Sequence, residues 1–350
     1  MKSLRFTMAG VCLAGLLTLT VAGCAQNAER DKKDTIKIGV AIYRGDDAFI
    51  SSVSSSMEEA VKEKEEELDR KIIVNIADAK NSQGSQNDQV DDFISKGYDV
   101  ICVNMVDRTA AAVIVDKAKE AGIPIIFFNR EPVEEDMGIW DQTYYVGTDA
   151  KEAGELEGQI VADAFKAAPE QIDKNGDGKL QYVMLEGEQV HQDSLIRTEY
   201  SVKTILKEGI PTEKLASGTG NWMRSPAYEL MQEWIKEYGD RIEAVISNND
   251  EMAMGAVEAL EENGMTGSSG PIVVGIDGTR DGLEKIVKGE MIGTVMNVAQ
   301  KQAECMVEIA CYCAQDENPK GQVEYLNGRY VRIPHYIVTA DNIDEVINDK

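Results

Sequence analysis

Residues 35–49, TIKIGVAIYRGDDAF, set the pattern from which the fold is read. A short, almost continuous apolar run breaks at a polar, Gly-containing turn, and a helix is expected from Asp47 to about Glu67. The unit recurs with IIVNIADA (72–79) before a helix over 84–96 and DVICVNM (99–105) before a helix over 108–121. PIIFFN (124–129) then leads through a loop to TYYVGT (143–148). Runs of this kind, continuous rather than alternating, predict strands buried on both faces, as in a parallel sheet with helices on either side. After Asp149 the alternation starts again. An Ala-rich helix to about Ala168 precedes LQYVMLEG (180–187), helices over 192–207 and 225–238, and IEAVIS (242–247). A helix over 250–263, PIVVGID (271–277) and a helix over 278–288 complete the second series. The chain therefore predicts two doubly wound α/β domains of one architecture. MIGTVM (291–296), a long helix over 300–315 and the segment 329–338 follow and form no third domain.

The 350 residues are 43% hydrophobic, enough to bury two cores. They carry 36 Lys or Arg against 62 Asp or Glu, a formal net charge of −26. So acidic a chain repels phosphate backbones and anionic membranes, which excludes nucleic acid as the partner. At the N-terminus Lys2 and Arg5 precede the uncharged run from Phe6 to Gly23. That run reads as a signal peptide over 1–23, because Val21-Ala22-Gly23-Cys24 resembles a bacterial lipobox. The expectation is an extracytoplasmic protein lipid-anchored to the cell membrane through Cys24, with residues 24–33 as a polar tether and no other membrane contact. Four cysteines remain, Cys102, Cys305, Cys311 and Cys313, in apolar or helical stretches that predict no disulfide framework. With only His191 and His335 in the chain, a histidine-rich metal centre is excluded.

Ligands of open α/β sheets bind beyond the carboxyl ends of the strands. Those positions here are polar and aromatic: Tyr43 to Phe49, Asn129-Arg130-Glu131, His191-Gln192-Asp193 with Arg197 one turn on, Asn248-Asn249-Asp250, Asp277 and Asn297. Carboxylates and amides bond adjacent hydroxyls, while aromatic rings cover the C–H faces of a pyranose, so this set suits a sugar. Asp47, Asp193 and Asp250 each precede a helix and also read as N-caps. Six strand ends of this character together point to a binding cleft between the domains.

The segments IGVAIYRGDDAF, NDQVDDFISKGYDVICVNMVD, IIFFNREP, YYVGTDAKEAGE, VHQDSLIRT, ISNNDEMAMGAVEAL, VVGIDG and GTVMN, in this order, resemble the D-galactose/D-glucose-binding proteins of bacterial ABC transporters, of the type 1 periplasmic-binding-protein family. The resemblance runs from Thr35 to the C-terminus. It implies lobes formed by residues 34–147 with 298–333 and by 148–297 with 334–350, joined by a three-segment hinge near 146–149, 297–299 and 333–335. It further implies that Asp47 contacts the sugar 4-hydroxyl, that Phe49 and Trp222 stack on opposite faces, and that Asn129 is the first lobe's amide. His191, Asp193 and Arg197 would surround O6 and the anomeric hydroxyl, with Asn249, Asp277 and Asn297 as the remaining polar contacts. Tyr43 would line the cleft, and Arg130 stands where a basic residue is typical. The implied function is capture of D-galactose or D-glucose by cleft closure and delivery to an ABC permease. A role as sensor, handing the closed form to a chemoreceptor or sensor kinase, uses the same site.

Residues 173–181, DKNGDGKLQ, fit the first nine positions of an EF-hand loop, with Asp173, Asn175, Asp177 and Gln181 as side-chain ligands and the Lys179 carbonyl at position seven. Position twelve is Met184. The family resemblance implies that Glu243 supplies the missing carboxylate, giving a structural Ca²⁺ site. A glycosidase would also use paired carboxylates, as Asp47 and Asp193 facing a sugar would supply, but no sequence feature raises the pKa of either. A repressor of the same fold would need a helix-turn-helix in place of the lipobox. The expectation is a binding protein rather than an enzyme.

Overall fold

Apolar side chains at alternate positions of β1 (Thr35–Ile42) serve two different cores. Ile36, Ile38, Val40 and Ile42 face α1 (Ala48–Leu68) and α11 (Ala299–Ala314), whereas Ala41 joins the core under α2 (Gln83–Ser95) and α3 (Ala111–Ala121). Both faces of the strand are thus covered, which is why the run reads as continuous rather than alternating. Gly39 is required on the α2 side, because a Cβ there would stand 2.6 Å from the Phe93 ring. The computed structural model describes residues 35–267 and 270–348. The expected signal peptide, Cys24 and the tether lie outside them.

The first sheet has the order β11-β12-β5-β4-β3-β1-β2, where β2 is Lys71–Asp78, β3 Val100–Val103, β4 Ile125–Phe128, β5 Thr143–Gly147, β11 Leu326–Asn327 and β12 Tyr330–Arg332. The second has the order β13-β10-β9-β8-β6-β7, with β6 Leu180–Glu186, β7 Thr212–Thr219, β8 Ala244–Ser247, β9 Ile272–Asp277, β10 Gly293–Met296 and β13 Tyr336–Thr339. In the second lobe α5 (Ala150–Ala167) and α7 (Gln192–Lys207) cover one face, and α8 (Arg224–Tyr238) and α9 (Asp250–Glu262) the other. The chain passes between the sheets three times: from β5 to α5, from β10 to α11, and from β12 to β13. The parallel strands of each sheet bring their carboxyl ends to the cleft between the lobes.

The structure departs from the sequence reading in four places. Residues 212–219, TEKLASGT, form β7, which the hydrophobic pattern did not mark because an edge strand with half-exposed side chains needs no apolar run. The edge strand β2 is likewise exposed at many positions, so burial on both faces holds only for the inner strands. The segment 329–338 divides into two strands that complete different sheets. The sheets are mixed: β13 runs antiparallel to β10, and β11 antiparallel to β12, on otherwise parallel sheets. Cys102, Cys305, Cys311 and Cys313 are buried free thiols. No described helix is long and apolar enough to cross a membrane.

Candidate functional site

Loops leaving β1 and β4 in the first lobe and β6, β7, β8 and β9 in the second converge on one small pocket. Its walls are Asp47, Phe49, Asn129, His191, Asp193, Arg197, Trp222, Asn249 and Asp277, together with Tyr43 and Arg130. Nine of the ten expected ligand contacts therefore share one cavity. Asn297, the tenth, is not on the wall. It is 3% exposed, its Oδ1 accepts from Gln302 Nε2 at 2.7 Å, and its side chain bonds Asp277 from behind. Its bond to the Asp277 carboxylate helps hold that wall residue in place.

Several wall residues are held by the helix starts they precede. Asp47 caps α1, accepting from the Ile50 N–H at 2.9 Å through Oδ1, while Oδ2 accepts from the Tyr43 hydroxyl at 2.5 Å. The caps of α7 and α9 are His191 and Asn249, not Asp193 and Asp250. His191 Nδ1 accepts from the Asp193 N–H at 3.1 Å, which places the ring proton on Nε2. Burial, followed by the charges of Arg130, Arg197 and Arg108, holds this imidazole well below its ordinary pKa, so it is a neutral donor. Asp250, completely buried, instead accepts from Thr279 and Thr294. Burial raises Asp193 above the ordinary carboxylate range and Asp277 well above it, against the lowering effect of Arg197. The sequence held no sign of this for Asp193, because it depends on closure of the wall around it.

Arg197 stands between the two carboxylates. Its Nη1 donates to the Asn248 carbonyl at 2.8 Å, while Asp277 Oδ1 and Asp193 Oδ2 lie 3.8 and 3.9 Å away, ion-pair range but beyond a hydrogen bond. The Nε atoms of Arg130 and Arg197 and the indole Nε1 of Trp222 are buried donors with no partner. Unpaired buried donors are rare in folded proteins. Here they share a wall with the carboxylates of Asp47, Asp193 and Asp277, so the pocket offers donors and acceptors together, as a neutral polyol requires. Phe49 belongs to the first lobe's core and Trp222 to the second's, which puts one aromatic ring on each side of the cleft. Trp222 lies edge-on to His191 at 5.1 Å.

Three wall residues, Asn129, Trp222 and Asp277, have positive φ of 58°, 65° and 122°. Left-handed backbone is costly for a bulky residue and gathers at binding sites. Trp222 fits because Gly187 presents bare backbone to the indole, where a Cβ would come within 2.1 Å of the ring.

Two residues were given no positioning role by the sequence reading. Asn248 accepts through Oδ1 from the Gly187 N–H, Ser194 and Thr198, and so ties the α7 start to the end of β8. Asn104 donates to Asn129 Oδ1 at 3.1 Å. The polar doublet Asn248-Asn249 was the available signal for the first. Glu188, just after β6, pairs with Arg130 at 3.0 Å and joins the two lobes.

In the 173–181 loop Asp173 accepts from the N–H groups of Gly176, Asp177 and Gly178, and Asp177 from that of Lys179. Glu243 reaches the loop as expected, accepting from the N–H groups of Lys174 and Gln181 at 2.8 Å. Gln181 is 1% exposed, and its Oε1 is a buried acceptor without a partner. An orphaned oxygen within an all-oxygen set fits a hard cation such as Ca²⁺. Among the described residues no three carboxylate, imidazole or thiolate groups converge as a metal centre, so amide and carbonyl oxygens would have to complete the shell.

Residues 38–346 match the family model described as "Periplasmic binding protein domain". The chain belongs to the periplasmic binding protein family. These are solute-binding proteins and not enzymes, and they work outside the cytoplasmic membrane. Among relatives of this periplasmic binding protein, the D-galactose/methyl-galactoside binding periplasmic protein of Haemophilus influenzae is 39% identical over 313 residues, 89% of this chain and 92% of the relative. A putative rhizopine-binding protein of Rhizobium meliloti is 31% identical over 95% of this chain and 97% of its own length. A solved ABC transporter solute binding protein of Bacillus halodurans with bound myo-inositol is 30% identical, superimposes with a TM-score of 0.76, and covers 92% of this chain and 100% of its own.

Proposed function

We propose that this protein captures a neutral hexose, D-galactose or D-glucose, by closure of its two lobes and delivers it to a membrane ABC permease. The observation that carries the reading is the set of unpaired donors and buried carboxylates walled by Phe49 and Trp222, one ring from each lobe. The Haemophilus relative named for galactose supports the choice of hexose. Because neither lobe alone satisfies the ligand, the sugar favours the closed state through contacts that exist only there. The crossings at 146–149, 297–299 and 333–335 act as the hinge.

Two further features belong to the proposal. Ca²⁺ held by Asp173, Asn175, Asp177, Gln181, Glu243 and the Lys179 carbonyl would pin the loop to the second sheet, a structural role remote from the cleft. Lipidation at Cys24 would tether the protein outside the membrane, and mass spectrometry of the native N-terminus reads it directly.

Calorimetric titration with D-galactose, D-glucose, D-ribose, D-xylose and myo-inositol tests the ligand. The reading expects tight binding of one or both hexoses and weak binding of the others. Preference for a pentose or for inositol would overturn it.

A further inference from the structure

Gln302 is 1% exposed, and the other buried residues of α11, from Ala303 to Cys313, are apolar or thiols. Its Nε2 donates to Asn297 Oδ1 at 2.7 Å, whereas its Oε1 is a buried acceptor without a partner. A buried amide satisfied at one end only adds little to folding, and an apolar side chain of similar shape would serve the core as well or better. Residues that break such a rule gather where function needs them. Resting on the hexose reading above, we propose that Gln302 is a positioning residue for the sugar: by engaging Asn297 Oδ1 it turns the other end of that amide toward Asp277, and so presents Asp277 to the ligand as an oriented, ionised acceptor.

The order of the bonds follows from what each group can donate or accept. An ionised carboxylate only accepts, so Asn297 bonds Asp277 through Nδ2. Its Oδ1 then faces away and takes the proton that Gln302 Nε2 offers. Without that donor the Asn297 amide is free to turn over. With Oδ1 facing the carboxyl group, Asp277 would have to hold a proton and donate it, and one acceptor of the sugar site would be lost.

Asp277 depends on this support. Burial opposes its charge most strongly, and the Arg197 charge and the Asn297 bond work against burial. Arg197 Nη1 stands 3.8 Å from Asp277 Oδ1, too far for a hydrogen bond, so it attracts the carboxylate without orienting it. The Asp277 backbone is strained, with φ of 122°. The Asn297 N–H donates to the Asp277 carbonyl at 3.1 Å, which sets the two backbones side by side and leaves the direction of the amide to the side chains. The relay crosses three parts of the fold: Gln302 on α11 of the first lobe, Asn297 on the crossing after β10, and Asp277 at the end of β9 in the second lobe.

The test titrates D-galactose and D-glucose into the full chain, Gln302→Met and Gln302→Leu from about pH 5 to pH 8, with a thermal melt of each protein in the absence of sugar. Neither replacement can donate a hydrogen bond, and both are apolar side chains of comparable size. The hexose that the wild type binds is expected to bind each variant about tenfold or more weakly at neutral pH, the scale of a hydrogen bond to a charged group. The loss should deepen as the pH falls and set in at higher pH than in the wild type, because Asp277 without its amide donor takes up a proton more readily. The melting temperatures should stay level or rise, since an unpaired buried acceptor has been removed. Hexose affinity within about twofold of wild type in both variants overturns the inference. A fall in affinity that keeps the wild-type pH profile, or that comes only with a lower melting temperature, is that of an ordinary core residue and also overturns it. A wild-type chain that binds neither hexose overturns the hexose reading, and the inference falls with it.

Discussion

Asp47 gives one carboxylate oxygen to the Ile50 N–H at the start of α1 and the other to the Tyr43 hydroxyl, and it also lines the pocket. Asparagine caps a helix about as well as aspartate but lacks the charge. Asp47→Asn is therefore expected to leave the melting temperature nearly unchanged and to weaken hexose binding by about tenfold or more, the scale of a hydrogen bond to a charged group. Asp47→Ala should lose both affinity and the cap. Paired titration and scanning calorimetry separate the two variants, and equal affinity for wild type and Asn would remove Asp47 from the site. That Asp47 belongs to the pocket was legible because it follows a strand and its chemistry suits a hydroxyl. The same logic found Asn129, His191, Arg197 and Asp277. It could not find the left-handed backbone of Trp222, or the close packing of its indole on Gly187, which exist only in the folded chain. Nor could it pair Asn297 with Asp277, because the end of a strand specifies a neighbourhood and not which side chains bond within it.

At the scale of elements, inner strands were legible and edges were not. β1, β3, β4 and β8 are apolar because helices cover both their faces, whereas β7 and β2 meet solvent and carry polar residues. A polar residue inside an otherwise apolar helix face is also invisible until the partner helix is known. Glu157, on the α5 face packed against α7, is completely buried and bonds the Ser201 hydroxyl at 2.5 Å. That hydroxyl also lies 2.5 Å from the Arg197 carbonyl, and its single proton can serve only one acceptor. A protonated Glu157 donating to Ser201, which donates to Arg197, satisfies both contacts. Burial pushes this carboxyl from its ordinary 4.5 up to about 8. Below 4.5 the folded and unfolded chains both hold the proton, so Glu157 contributes no pH dependence there. Between 4.5 and about 8 the unfolded chain releases it while the folded chain keeps it, so stability falls as pH rises through this window. Glu157→Gln is expected to flatten the dependence and to raise the melting temperature at pH 8 relative to pH 5. An unchanged slope in thermal melts across that range would show that Glu157 ionises freely in the fold. The 173–181 loop makes a separate prediction. Ca²⁺ should raise the melting temperature and EDTA reverse it, because a ligand that binds only the folded state stabilises by mass action. Glu243→Gln should abolish that shift, and a wild-type protein indifferent to both reagents would leave the loop a plain turn.

At the scale of the whole molecule, an ion pair links the lobes beside the pocket. Arg130 follows β4 in the first sheet and Glu188 follows β6 in the second; their side chains are 5% and 13% exposed and 3.0 Å apart. Arg130 also lies over the Tyr43 ring at 3.7 Å, and Tyr43 bonds Asp47, so the pair connects with the pocket's own carboxylate. In an open cleft both charges would be hydrated. With the lobes paired each depends on the other, and removing one partner of a buried pair costs about 3–5 kcal/mol by stranding the remaining charge. That cost falls on the closed state alone. Glu188→Gln should therefore shift the lobes toward the open form and reduce apparent hexose affinity in proportion to the lost closed population. Small-angle scattering should report a larger ligand-free radius of gyration for the variant than for wild type if the pair already draws the lobes together without sugar. Saturating hexose should bring the two radii into agreement. If Glu188→Gln matches wild type in both affinity and ligand-free radius, the pair follows closure without favouring it, and the energy of closing must come from the ligand's own contacts with Asp47, Arg197 and the two aromatic rings.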